Sequence, residues 1–201
     1  MIEHLRPALA LVGGLTLLTG VAYPLALTGI AQVAFPDAAN GSLATLDGTV
    51  IGSRRIGQTF ADPKWFNGRP SATSAADPND ASKTIDAPYN AANSSGSNLG
   101  PLSTKLVERV KGDVEALKPE SAGAAVPADA VTTSGSGLDP DVSPAFARLQ
   151  AKRVAASRGL PLEKVEALIA AHTRGRDLGI LGEPRGDVLG LNLALARLPP
   201  S

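Results

Sequence analysis

The sequence predicts an α+β protein, with one N-terminal transmembrane helix followed by a mixed helix/strand periplasmic domain. Three observations predict it. No charged residue occurs between Arg6 and Asp37, β-branched residues cluster between glycines at 49–60, and apolar residues recur at helical spacing in several segments after residue 98.

The uncharged run, PALALVGGLTLLTGVAYPLALTGIAQVAFP, comes first. As helix, residues 8–31 reach roughly 36 Å at 1.5 Å per residue, against a hydrocarbon thickness of about 30 Å. They span with some tilt. Gly13, Gly14, Gly20 and Pro24 would weaken a helix in water, but lipid offers the backbone no other hydrogen-bond partner. The same three glycines let a second membrane helix approach closely, and Tyr23-Pro24 marks a packing face or kink. Gly29-Ile30-Ala31 has the small-x-small pattern of a signal cleavage site, yet signal cores run about 7–15 residues and this one is far longer. Arg6 and the amino terminus precede the span, and the next Lys or Arg is Arg54. Residues 1–7 are therefore expected in the cytoplasm and residues 37–201 on the periplasmic or extracellular side.

Composition limits what the outer part does. Lys plus Arg (19) equal Asp plus Glu (19), which removes the basic excess of a nucleic-acid binder. Aromatic residues make up 3 %, so a core must be built from Leu, Val, Ile and Ala. The absence of cysteine excludes thiolate metal sites, cysteine nucleophiles and disulfides.

Residues 49–60, TVIGSRRIGQTF, read as one or two short strands with Arg54-Arg55 between them. Trp65 and Phe66, rare bulk in so aromatic-poor a chain, read as core anchors, with partner contact as the functional alternative. Residues 71–97 are Ala, Ser, Asn, Asp and Pro without apolar periodicity and read as a long polar loop whose one bulky feature is Tyr89. A helix is expected from 98–101, carried by Leu102, Leu106, Val110, Val114 and Leu117 and ended by Lys118-Pro119. Ser143-Pro144 reads as N-cap and first turn of a helix closed by Gly159, and a shorter helix from Pro161 carries Val165, Leu168, Ile169 and His172. Residues 175–187 form a glycine-punctuated turn region. Residues 188–198 fit strand or helix, and Asp187 as N-cap favours helix.

Ser134-Gly135-Ser136-Gly137, upstream of a helix, invites two chemical readings: a nucleophilic serine or a phosphate cradle. A triad needs a base, the histidines are His4 and His172, and the Gly-x-Ser-x-Gly elbow is missing. The Gly-Lys-Ser/Thr of a P-loop is missing as well. A glycine-permitted turn accounts for the segment more simply. One usable histidine and scattered carboxylates assemble neither a transition-metal site nor a glycosidase pair.

In order along the chain stand IGQTF (56–60), WFNGRPSA (65–72), SGSNLGP (95–101), VTTSGSGLDPDVSPAFARLQAKRVA (131–155) and GILGEPRGDVLGLNLAL (179–195). These motifs, with the single N-terminal span, resemble the C-subunit family of the bacterial Kdp potassium-transporting ATPase over nearly the whole chain. Gly186-Asp187 departs from the family's usual Val-Asn. The resemblance implies a non-catalytic, single-pass inner-membrane subunit that assembles and stabilises a channel-like A subunit and a P-type ATPase B subunit beside a small F subunit. It implies no cofactor of its own: ATP and Mg belong to the B subunit, and potassium is the ion the complex transports. The family's described role as a catalytic chaperone raising ATP affinity makes Ser134, Gly135, Ser136 and Gly137 the nucleotide-loop candidates. With about six residues in the cytoplasm, however, the effect is expected to be indirect. Gly13, Gly14, Gly20, Tyr23, Trp65, Phe66, Arg69 and Tyr89 are the partner-contact candidates. The polar loop offers oxygen ligands for potassium, but the outer region lacks the negative charge that would steer cations to it. The rival readings are a membrane-anchored periplasmic serine hydrolase using Ser134 or Ser136, and a free-standing anchored binding module.

Overall fold

A computed structural model describes residues 2–198. The chain divides into two compact units, residues 1–44 and 45–201. Each is built on different physics.

The first unit opens with a 3₁₀ turn, Ile2–His4, and continues as α1 (Leu5–Leu17), a π-helical turn (Leu18–Ala22) and α2 (Tyr23–Ala34). Together they make one helix of 30 residues, Leu5–Ala34, long and apolar enough to cross a membrane. The π turn has a local cause. Pro24 brings no N–H, and its ring would strike the carbonyl of Gly20 in regular α geometry; widening the preceding turn removes that clash. Tyr23 N–H accordingly donates to Leu18 O, five residues back. Thr19 and Thr28 hydroxyls donate to Leu15 O and Pro24 O, both at 2.8 Å, so neither faces an apolar solvent unpaired. Phe35, at φ −139°, ends the helix, and Pro36 opens the short α3 (Pro36–Ala39).

Beyond it, β1 (Leu43–Leu46) and β2 (Thr49–Ser53) form a two-stranded sheet. Asp47 and Gly48 both adopt positive φ, +50° and +80°, the pair of left-handed residues a tight hairpin needs. Residues 56–60, expected as a possible second strand, are irregular, and β2 takes its partner from upstream instead. The expected long loop at 71–97 is also corrected. It contains β3 (Ser74–Asp77) and β4 (Asp80–Asp86), an antiparallel hairpin in register Ser74↔Asp86 and Ala76↔Thr84. Nearly all its side chains are exposed or half-buried, so no face demanded apolar residues and no alternation was written.

The helix expected from 98–101 starts later. α4 runs Thr104–Ser121 with Ser103 at the N-cap, and it passes through Pro119 before Ala122 turns left-handed at φ +48°. Proline tolerated in a last turn delays the stop by three residues. A short α5 (Ala128–Val131), unexpected from the sequence, precedes β5 (Asp141–Val142). α6 (Pro144–Arg158) follows the expectation closely: Ser143 Oγ accepts from Phe146 N–H, and Gly159 closes the helix at φ +65°. α7 (Leu162–Ala171) ends at His172. β6 (Thr173–Arg174) and β7 (Arg185–Asp187) complete a three-stranded antiparallel sheet of order β5-β7-β6. α8 (Val188–Ala196) is helical, with Asp187 accepting from Gly190 N–H.

The core is aliphatic, as the composition required. α6 buries Phe146, Ala147, Gln150, Ala151, Val154 and Ala155, a clean three-and-four spacing, against α7, whose buried face is Val165 and Ile169. Val188, Leu191 and Leu195 of α8 close it, and Phe66 is inserted from outside the helices.

Candidate functional site

The extended segment 65–73 organises the second unit. Phe66 is 0 % exposed, and its backbone is gripped by one side chain: Phe66 N–H donates to Asn192 Oδ1 at 2.9 Å while Asn192 Nδ2 donates to Phe66 O at 2.9 Å. Gln150 does the same to the next residue. Asn67 N–H donates to its Oε1 at 2.7 Å, and its Nε2 donates to Asn67 O at 3.1 Å. Two buried amides thus imitate a neighbouring strand and leave no peptide group unpaired. Sequence reading found Phe66 but missed both amides. The available signal was a polar residue standing on an apolar helical face in α6 and in α8.

Trp65 lies at the margin, partly buried, its ring tilted 6.5 Å from Phe60 and flanked by Lys64 and by Arg158, whose guanidinium is 5.1 Å from the ring centroid.

Further along, Arg69, Tyr89 and the Ser134–Gly137 turn come together in one polar knot. Arg69 Nη1 pairs with Asp139 at 3.0 Å, and its Nη2 reaches the carbonyls of Thr132 and Thr133. Tyr89 Oη donates to Arg69 O at 2.6 Å, and Tyr89 N–H donates to Ser71 Oγ at 3.0 Å. The Tyr89 ring sits against Gly57 and Gly68, where a Cβ on either glycine would collide with it. Tyr89 itself holds φ +61°, a strained setting for a non-glycine residue. Burial first, then nearby Asp139, pushes its phenol up to about 12, with Arg69 pulling the other way.

Ser134 N–H donates to Pro70 O, Ser95 N–H donates to Ser136 O, and Ser71 Oγ donates to Gly137 O at 2.7 Å. Gly137, at φ +68°, packs so close to Thr73 that a Cβ would overlap it. The serine-glycine turn therefore latches residues 70–73 and 94–97 to the rest of the unit. Ser134 is buried at 3 % exposure, while Gly135 and Ser136 are exposed, with Ser136 Oγ accepting from Leu138 N–H. His172 Nδ1 lies 2.9 Å from Leu168 O at the end of α7, where no bond joins it to either serine. Gly13, Gly14, Gly20 and Tyr23 lie on the first unit's helix and are exposed along it.

Two clefts flank the knot. One, about 390 Å³, is lined by Gln58, Phe60, Arg69, Tyr89, Asp113 and Phe146 among others. The second, about 480 Å³, is lined by Asp129, Asp139, Asp141 and Arg185. Asp141 is pushed above the usual carboxylate range by burial, then by Asp139 and Asp187, against the pull of Arg185 and Arg174. Among the described residues, no group of three or more His, Asp or Glu is placed to hold a metal ion.

An exposed 30-residue apolar helix, long and apolar enough to cross a membrane, followed by a mixed domain whose polar loops close on themselves, fits the class of chains with one candidate membrane helix and an extramembrane domain. Residues 5–197 match the family described as KdpC: K+-transporting ATPase, c chain. The chain belongs to that family. It is similar to proteins named potassium-transporting ATPase KdpC subunit from Methylobacterium nodulans, 61 % identical over 198 residues, and Bradyrhizobium diazoefficiens, 60 % over 197, each alignment covering 98 % of both chains. The protein of that name from Rhodopseudomonas palustris strain BisB18 is 60 % identical over 195 residues, covering 97 % of this chain and 98 % of its own.

Proposed function

We propose that the chain is the non-catalytic C subunit of an ATP-driven potassium import complex, anchored by residues 8–31 with residues 1–7 in the cytoplasm and residues 37–201 outside. It assembles and stabilises the channel-like A and P-type B subunits beside the small F subunit. The observation that carries the reading is the family match from residue 5 to 197, which takes in both the apolar helix and the folded domain. Potassium is then the ion of the complex, and ATP with Mg binds the B subunit.

The geometry of the Ser134–Gly137 turn supports an indirect route to ATP affinity. Its amides at Ser134 and Gly137 already serve Pro70 O and Ser134 O, so they do not form an open cradle for phosphate. A subunit held on the far face acts by biasing the pump's conformational equilibrium. Purification of the full chain in mild detergent tests the core of the proposal: large polytopic subunits should accompany it in fixed proportion. Purification of the chain alone would reject the subunit reading in favour of a free-standing module. Protease added to the cytoplasmic face should spare the domain if the topology holds. Removing the subunit should weaken the apparent ATP affinity of the remaining complex; an unchanged affinity would reject the chaperone role.

A further inference from the structure

The turn joining β6 to β7 exposes Leu178 (88 %), Ile180 (74 %) and Leu181 within four residues. It is not loose. Asp177 and Leu181 exchange backbone hydrogen bonds, both 2.9 Å, and Ile180 N–H donates to Asp177 O. Arg176 binds both carboxylate oxygens of Glu183 at 2.8 and 2.7 Å, while Arg185 reaches Asp177 and Asp141. Leu178 holds φ +54°, a conformation that glycine adopts at no cost. A leucine there is strained and solvated, with no internal packing gained in return.

We propose that residues 178–181 form a docking knob that seats in an apolar socket on the extramembrane surface of a partner subunit in the same membrane complex. This rests on the subunit reading above. Within residues 175–185 the charges are Arg176, Asp177, Glu183 and Arg185, and all are paired; the exposed Arg174 just before them is a single cation, short of the Lys/Arg cluster that anionic headgroups recruit, and the turn lacks the Trp or Tyr of an interfacial anchor. Charge-depleted, preformed apolar surface is what the centre of a protein interface requires. Three side chains are too few to hold two free copies, which need about 800 Å² per partner. Against a subunit that shares the same membrane assembly, the contact is intramolecular in effect and a small knob suffices.

The natural chain has no cysteine, so Ile180→Cys supplies a single thiol for a photo-crosslinker in the complex purified in mild detergent. An adduct with a partner subunit is expected. An adduct with lipid or with a second copy of this chain, or none above the cysteine-free parent, overturns the knob. Leu178→Gly combined with Ile180→Ser should lower retention in the washed complex about tenfold. Leu178→Gly alone should leave the melting temperature of the full chain unchanged or raise it, because glycine relieves the strained φ. Retention of the double variant equal to the natural chain overturns the proposal while leaving the subunit reading intact. A natural chain that itself retains no partner sinks both.

Discussion

The two units bury opposite things. Along Leu5–Ala34 the apolar side chains are exposed and the backbone satisfies itself, so the helix is stable wherever lipid replaces water. In the second unit the aliphatic core is ordinary, and what distinguishes it is buried polarity: the side chains of Gln150, Asn192 and Thr73 lie inside, each bonded to backbone 14 or more positions away. One region is held by its solvent. The other is held by its own side chains.

Removing the central anchor should break that comparison most severely. Phe66→Ala empties a fully buried site and should cost about 3–5 kcal/mol, read as a large fall in melting temperature of the full chain in detergent. The helix should remain in the membrane fraction after carbonate washing. Leu17→Arg reverses the pattern. A guanidinium near the middle of the span should cost about 2.5–3.5 kcal/mol of insertion and increase the carbonate-extractable fraction, while the domain's melting stays unchanged. If either substitution disturbed both readouts equally, the two regions would not be energetically separate. Asn192→Leu sharpens the point about buried polarity. It keeps the apolar volume but strands the N–H and C=O of Phe66, at about 1–3 kcal/mol per unpaired group. An unchanged melting temperature would show that the amide clamp is dispensable.

Those contrasts also explain what could be read before the fold was known. The helix from Leu5, the Ser143 cap and the Gly159 stop are written in local chemistry: charge exclusion, a hydroxyl at the right offset, a residue free to turn left-handed. The hairpin at 74–86 is not, because strands exposed on both faces impose no alternation. Asp47-Gly48 was a legible hairpin signal that lay just upstream of the strand it pairs. The knot of Arg69, Tyr89 and Ser134–Gly137 joins residues 20 to 70 positions apart, and no local pattern encodes such a meeting. The serine-glycine turn could thus be recognised as a turn, while its role as a latch emerged only from its partners.

The smallest expected effect concerns the acidic cleft. Asp141 is half-buried beside Asp139 and Asp187, and its proton is held more tightly in the folded chain than in the unfolded one. Between the unfolded carboxylate range and its raised folded value, the native state binds more protons, so stability from this group is present at low pH and lost as pH rises through that window. Asp141→Asn removes the titration and the repulsion together. It should therefore raise the melting temperature slightly at neutral pH, with the gain shrinking as the pH is lowered towards the unfolded carboxylate range. Loss of the Arg185 pair at 3.3 Å works against this, but Arg185 keeps Asp177, and the upward shift at Asp141 shows that repulsion and burial outweigh the pair. A lower melting temperature for Asp141→Asn at neutral pH would show that the ion pair dominates, and that the cleft is held together by charge instead of merely tolerating it.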